Sequence, residues 1–517
     1  MSTGDKYYLK IGKATDLKSP KDRFVYRAFE IVPGALAWGT LGGVILLSWA
    51  KPVWIAIFII AFDVYWLLKT IYLSLHLRSS YFKMKKNMST DWQEKLKEIT
   101  AENKQDIYHL IVLPVYKESE EVVEEGVKAI INSDYSKNRM IVVLAIEERV
   151  GQSARNLAAS IEKKFGDKFY QFMVTVHPDG IAGELAGKGA NTAWAARQVK
   201  KEIIDPLKIP YQNIIVSCFD IDTVVFPKYF SCLTYHYLTS SNPTKTSYQP
   251  VPLYNNNIWQ APAISRVVAT SGTFWQMVQQ QRPERLSTFS SQSISFKALV
   301  DVGFWQTNMV SEDSRIFWQC LLYYDGNYQT EPLYYPVSMD ANLTSSFLKT
   351  VLNVYRQQRR WGWGVENIPY LLFGFLKNKK ISLREKIYWT FVQLEGFWSW
   401  ATNALIIFLL GWLPLYLGGE KFNVTLLSYN LPFITRTLMT LAMIGLIGSA
   451  IYSTLLLPQR PKNYGPIRYL SMIVQWVLVP FTILVFGALP GLESQTRLLL
   501  GKYMGFWVTP KEKVISK

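Results

Sequence analysis

Two aspartates one residue apart, Asp220 and Asp222, close an apolar run from Ile214 to Cys218. Such a run reads as a buried strand. Residues i and i+2 of a strand point to the same side, so the two carboxylates are expected to converge on one hard cation. Such a cation takes oxygen ligands and readily bridges phosphates. The plainer alternative is an acidic turn after a strand. A second acidic pair stands in Ser311-Glu312-Asp313. One expectation there is a helix start, with Ser311 as cap and the acids in the first turn before a helix from Arg315 to Tyr324. A third group is Gln357-Gln-Arg-Arg360-Trp361. Arg360 offers a two-pronged fork for a diphosphate, and Trp361 a flat face for a ring. Its alternative is an interfacial helix with Arg and Trp among headgroups, the role expected for Arg356, Arg359 and Trp363.

The elements that must position these groups follow from composition and order. The chain has 517 residues, too many for one compact domain. It is 49% hydrophobic, with 18 Trp, 30 Tyr and 27 Phe, as suits a membrane protein with interfacial aromatic belts. The formal net charge is +17, and its Lys and Arg cluster beside apolar spans. That pattern points to cytoplasmic loops and anionic membrane lipids rather than to nucleic acid. The three cysteines, Cys218, Cys232 and Cys320, form no ligand pair and no disulfide framework, which indicates a reducing compartment.

Residues 1–31 are polar and basic, and residues 32–77 hold two apolar stretches, Val32 to Ala50 and Pro52 to Leu77. Each is long enough to cross a bilayer, and the short link makes them a hairpin. A long basic leader followed at once by a second span argues against a cleaved signal peptide. Arg78, Lys83, Lys85 and Lys86 place both ends of the hairpin on the cytoplasmic side. Residues 87–380 alternate apolar runs with amphipathic helices, with interfacial helices near 350–390. Strands are expected at Tyr108–Glu118, Met140–Ile146, Phe172–Val176 and Ile214–Cys218. This order implies a largely parallel sheet covered on both faces. Ligands of such sheets sit beyond the carboxyl ends of the strands, where Glu147, Glu148, Asp220 and Asp222 fall. Residues 391–490 hold about three further spans, Gly396–Leu417, Leu438–Leu457 and Tyr469–Leu489, the last with Pro480 in its middle. Residues 491–517 read as a basic interfacial tail. Five spans would leave that tail outside, against its charge. Either the Pro480 segment is re-entrant, or Ile387 to Trp398 hides another span, or the tail breaks the rule.

Taken in order, the motifs resemble the membrane-embedded family 2 glycosyltransferases of the cellulose, chitin and hyaluronan synthase type. The resemblance rests on Leu113-Pro-Val-Tyr-Lys-Glu118, an acidic second strand end, Gly187-Lys-Gly189, Asp220-Ile-Asp222, Ser311-Glu-Asp313 and Gln357-Gln-Arg-Arg-Trp361. It implies an α/β GT-A domain inserted between transmembrane helices of an inner or plasma membrane. The implied activity is inverting transfer from a nucleotide-sugar donor, UDP-linked by default with GDP not excluded, to a growing glycan on the cytoplasmic side. Asp220 and Asp222 would hold Mg2+ or Mn2+ against the diphosphate, and Asp313, with Glu312 beside it, would be the general base. Glu147, Glu148, Lys188, Gln357 and Arg360 would face the donor. Trp361 and Ser271-Gly272-Thr273 would face the acceptor, the latter read as a turn between a strand-like run and a helix. The family's usual Asp-Asp-Gly is replaced here by Glu147-Glu148-Arg149, which leaves the base open. Two alternatives are transfer to a polyprenyl phosphate or other lipid acceptor, and a nucleotide-sugar-binding module without turnover.

Overall fold

The computed structural model describes residues 3–99, 106–462, 464–465 and 467–507. The Thr509-Pro-Lys511 ending and the basic residues Lys511, Lys513 and Lys517 lie outside the described residues. Among the described residues, eight strands form one mixed sheet in the order β3-β2-β1-β4-β7-β6-β8-β5. Its parallel half is β1 (Tyr108–Val115), β2 (Met140–Glu147), β3 (Gln171–His177) and β4 (Ile214–Cys218). In register, Val112 lies between Val143 and Cys218, so the ends of β1, β2 and β4 open at one edge. The other half is β5 (Val224–Val225), β6 (Thr246–Leu253), β7 (Ser293–Ser295) and β8 (Gln329–Ser338). Here β7 runs antiparallel to both β4 and β6, and β8 runs parallel to β6.

The continuous apolar runs are explained by burial on both faces. Leu110, Val112, Ile141, Val143 and Val216 meet one layer of helices, and Ile111, Leu113, Val142, Leu144 and Ile215 meet the other. One helix, Glu120–Ile131, packs Val123, Val127 and Ile130 inward and carries its acids in the first turn, where the helix dipole favours them. Gly126 matters within it: an added Cβ would lie 3.4 Å from the carbonyls of Ile221 and Thr223, so the helix backs directly onto the acidic loop.

Among the described residues, four helices are long and apolar enough to cross a membrane: Pro20–Ala50, Pro52–Ser89, Leu426–Leu455 and Ile467–Leu499. A fifth span results if Leu383–Phe408 and Leu410–Leu417, bent by 50°, are taken together. Several expected boundaries move. The first helix starts at Pro20, well before the uncharged run at Val32, because Ser19 caps it and Tyr26 and Glu30 are buried inside. Ile387 to Trp398 is no separate span but the first half of Leu383–Phe408. Ile467–Leu499 changes winding at Gln475–Leu478 and Leu484–Ala488, on either side of Pro480. A proline inside a helix removes one backbone donor and crowds the preceding turn. Both ends of this segment dock on the α/β part. Arg266 donates to Gln475 at 2.5 Å and Arg468 to the Trp259 carbonyl at 3.0 Å near one end. Near the other, Arg359 pairs with Glu493 at 2.8 Å and Ser494 donates to the Arg359 carbonyl at 2.8 Å.

Candidate active site

The strand of Asp220 and Asp222 ends at Cys218, so both aspartates sit in the following loop, closed by the Thr223 amide on the Asp220 carbonyl at 2.8 Å. The same-side argument for a strand therefore does not apply. Tertiary contacts aim the two side chains instead. Asp220 accepts from the Ser290 hydroxyl at 2.7 Å, and Asp222 from the Asp340 amide at 3.0 Å. The Asn256 side chain fixes the Asp222 carbonyl at 3.0 Å.

Lys188 binds the site together. It is the first residue of a helix, Lys188–Val199, whose alanines pack under β1 and β2. Its ammonium lies 2.7 Å from Asp220, 2.8 Å from Asp313 and 4.0 Å from Glu312. Burial alone would lower its pKa; Asp220 and Asp313 outweigh that and hold it well above the usual lysine range. Burial raises the carboxyl of Asp313, with Lys188 opposing and Asp220 adding. Glu312 is pushed up by burial and by Asp313 beside it. Lys188, expected to face the donor, joins the acidic loop to the helix of Asp313.

That helix runs from Glu312 to Tyr323, so the acids stand in its first turn. Ser311 does not cap it. Glu366 instead holds the turn that leads into it, accepting the amides of Val310 and Ser311 at 3.1 and 2.9 Å. Gly189 allows the approach of the Lys188 helix, since an added Cβ would meet the Glu312 Cβ at 3.0 Å.

Gln357, Arg360 and Trp361 lie on the helix Phe347–Gly362, and all three line the cavity. Trp361 stands 5.9 Å from the Tyr254 ring and 5.7 Å, edge-on, from Phe289. Arg360 lies over the Phe506 ring at 5.4 Å. The Phe506 ring also closes on Gly187, where an added Cβ would lie 2.6 Å from it. The headgroup role expected for Trp363 fails, and Arg359 has a partner within the chain. Trp363 is buried and donates to Glu366 at 2.9 Å, and Arg359 is paired with Glu493.

Ser271, Gly272 and Thr273 are not a turn. They lie inside the helix Ala263–Gln280, because Val267, Phe274, Met277 and Val278 form one buried helical face. Ser271 and Gly272 still face the cavity, Gly272 passing beside Tyr254 and Trp361. Thr273 is buried and donates to the Pro252 carbonyl at 2.9 Å. Glu147 lines the cavity but is held by Arg149 at 2.5 Å, and that guanidinium lies over the Tyr116 ring at 4.8 Å. Glu148 is exposed and accepts the Asp179 amide at 3.2 Å. Asn191 spends its amide on the Ala145 carbonyl at 2.8 Å, a packing contact. Sequence reasoning missed Tyr254, Ser290, Phe506 and Glu366, which belong to no short motif.

The donor set suits a hard divalent cation. Among the described residues, no group of three or more His, Cys, Asp or Glu is arranged to hold a metal. Asp220 and Asp222 would supply two oxygens, and a bound diphosphate and water would complete the shell. A cavity of about 660 Å³ takes in these groups and continues past Trp275 and Gln279 to Trp66, Lys69, Glu395 and Phe486 on the apolar helices.

No family model and no curated protein matches the chain. Among solved structures it is similar to the mannosyltransferase PcManGT from Pyrobaculum calidifontis in complex with GDP-Man and Mn2+. That pair is 14% identical, covers 76% of this chain and 98% of that one, and has a TM-score of 0.41. S. aureus TarS 1–349 in complex with UDP-GlcNAc is 9% identical, covering 76% and 92%, with a TM-score of 0.37. The same protein with UDP is 10% identical, covering 68% and 90%, with a TM-score of 0.36. These likenesses are weak, and what the site does rests on its own geometry.

Proposed function

We propose that the chain is an inverting, metal-dependent family 2 glycosyltransferase with a GT-A domain on the cytoplasmic side of the membrane. It moves a sugar from a nucleotide-sugar donor, UDP-linked by preference and GDP-linked as the alternative, to a growing glycan in processive polysaccharide synthesis. The observation that carries this reading is the Lys188 ammonium seated between Asp220 and Asp313, in a cavity that reaches the apolar helices. A bare acidic site would repel a diphosphate. Lys188 and Arg360 supply the positive charge that a departing nucleoside diphosphate needs. A divalent cation on Asp220 and Asp222, when bound, would add Lewis-acid stabilisation of that leaving group.

Asp313 takes the proton of the acceptor hydroxyl while that oxygen forms the new bond to the anomeric carbon. The bond from that carbon to the diphosphate breaks in the same step. One displacement inverts the centre, so an α-linked donor yields a β-linked product. General-base help of this kind is worth about 10²–10⁴-fold. Trp361, propped by Tyr254 and Phe289, offers the acceptor ring a flat face.

A second reading, transfer to a lipid-linked acceptor, is favoured by one feature. Trp66, Leu73, Ile483 and Phe486 line the same cavity from membrane-type helices. A donor screen on the purified protein separates the readings. UDP- and GDP-sugars are offered with Mn2+ or Mg2+, nucleotide release is followed, and the product is sized. Release from one donor that falls by about 10²–10⁴-fold in Asp313→Asn supports a glycosyltransferase. A single-sugar product extractable with lipid favours the second reading. Tight binding of every donor without release would overturn both.

A further inference from the structure

The turn that delivers Asp313 is held by a second carboxylate that does not line the cavity. Glu366 follows Trp361 on the short coil Trp363–Glu366 and is largely buried. One of its oxygens accepts the backbone amides of Val310 and Ser311 at 3.1 and 2.9 Å; the other accepts the Trp363 indole at 2.9 Å. All three partners are donors, which matches an ionised carboxylate and nothing that carries its own N–H. The first amides of a helix have no partner within it, and Ser311 makes no side-chain cap.

The same segment grips the helix one turn further on. The Arg315 Nη2 donates to the Glu366 carbonyl at 3.1 Å, and its Nε to the Asn367 side chain at 2.6 Å. Asn367 donates in turn to Ser314 at 2.9 Å. Arg315 is fully buried, lies 3.9 Å from the Tyr370 ring centre and reaches the Ile11 carbonyl at 3.1 Å. Residues 310 to 315 are thus fastened on both sides of Asp313 by Glu366 and Asn367.

We propose that Glu366 is a positioning residue for Asp313: it fixes the start of the base's helix relative to the segment bearing Arg360 and Trp361. This rests on Asp313 being the general base. Losing the clamp shifts the base from its hydroxyl partner without removing any group that touches the donor. A displacement of the order of 1 Å costs about 10²-fold in a positioned reaction.

The test is a double-mutant cycle on the full-length protein in nanodiscs. Glu366→Gln keeps the shape but must turn an amide N–H against a donor. It is expected to lower kcat about 10- to 100-fold, with the donor KM and the nucleotide affinity within about threefold of wild type. In an Asp313→Asn background the same change is expected to cost nothing more, since it acts only through Asp313. Trp363→Phe, which removes the indole donor, should give a smaller kcat loss with the same non-additivity, and serves if Glu366→Gln does not fold. Equal losses in both backgrounds, or a loss in KM alone, would mean a general structural role and overturn the proposal. So would an unchanged kcat in Glu366→Gln while Asp313→Asn is slowed by about 10²–10⁴-fold. A wild-type rate in Asp313→Asn would instead overturn the assignment of the base itself.

Discussion

At the scale of single residues, the site is an exercise in charge balance. Asp220, Asp313 and the buried Glu312 crowd one edge of the sheet, and Lys188 answers them from a neighbouring helix. Removing the ammonium leaves like charges facing each other in a half-enclosed cavity, where screening is weak. Lys188→Met is therefore expected to lower kcat/KM for the donor by about 100-fold or more. It should also lower the cation concentration needed for half-maximal rate, because Asp220, freed of the ammonium, attracts a divalent cation more strongly. A metal titration of initial rates checks this; near-wild-type values on both counts would remove Lys188 from the chemistry.

At the scale of elements, the strands supply the stiffness, and their burial has a measurable cost. His109 on β1 is fully buried, bonded to Thr234 at 2.8 Å and packed edge-on against Tyr135 and Phe230. Burial pushes its imidazole down to about 3 from the ordinary 6.5. The folded state keeps this ring neutral, while the unfolded chain takes up a proton below about pH 6.5. Stability is thus fully present above that pH and falls as pH drops towards 3, by about 1.4 kcal/mol per unit. Unfolding measured at pH 7 and pH 5 should show this loss. His109→Phe combined with Thr234→Val should flatten it, since that pair leaves neither a titrating ring nor an orphaned hydroxyl. An unchanged slope would show that other groups set the acid sensitivity.

At the scale of the whole molecule, the contacts of Ile467–Leu499 bear on topology. Both of its ends rest on the α/β part, and Gly501 and Tyr503 reach Arg27 and Glu30 at the base of the first helix. A segment that leaves and rejoins the same side is expected to be re-entrant, which puts residues 500–507 beside the α/β part. A cysteine at Lys502 should therefore react with an impermeant thiol reagent from the same side as one at Ser153 on the exposed face of the domain. The native Cys218, Cys232 and Cys320 are buried and give little background. Labelling from opposite sides would restore five full crossings.

The scales differ in what the amino-acid order alone determines. Strands β1, β2 and β4 were legible because continuous β-branched runs have nowhere to go but a doubly covered sheet. The acidic ends of those strands, Lys188 at a helix start and the long apolar helices were legible for similar reasons: each is a local pattern of period, charge or length. Ser271 to Thr273 was misread because three small polar residues carry no period, and only the flanking Val267, Phe274 and Met277, meeting their partners, make the stretch helical. The aim of Asp220 and Asp222 depended on Ser290 and the Asp340 amide, far along the chain. Glu366 holding the turn that leads into the helix beginning at Glu312, and Phe506 closing on Gly187, are likewise long-range contacts. No spacing rule encodes them, because they exist only once separate elements have packed and each buried donor must find its acceptor.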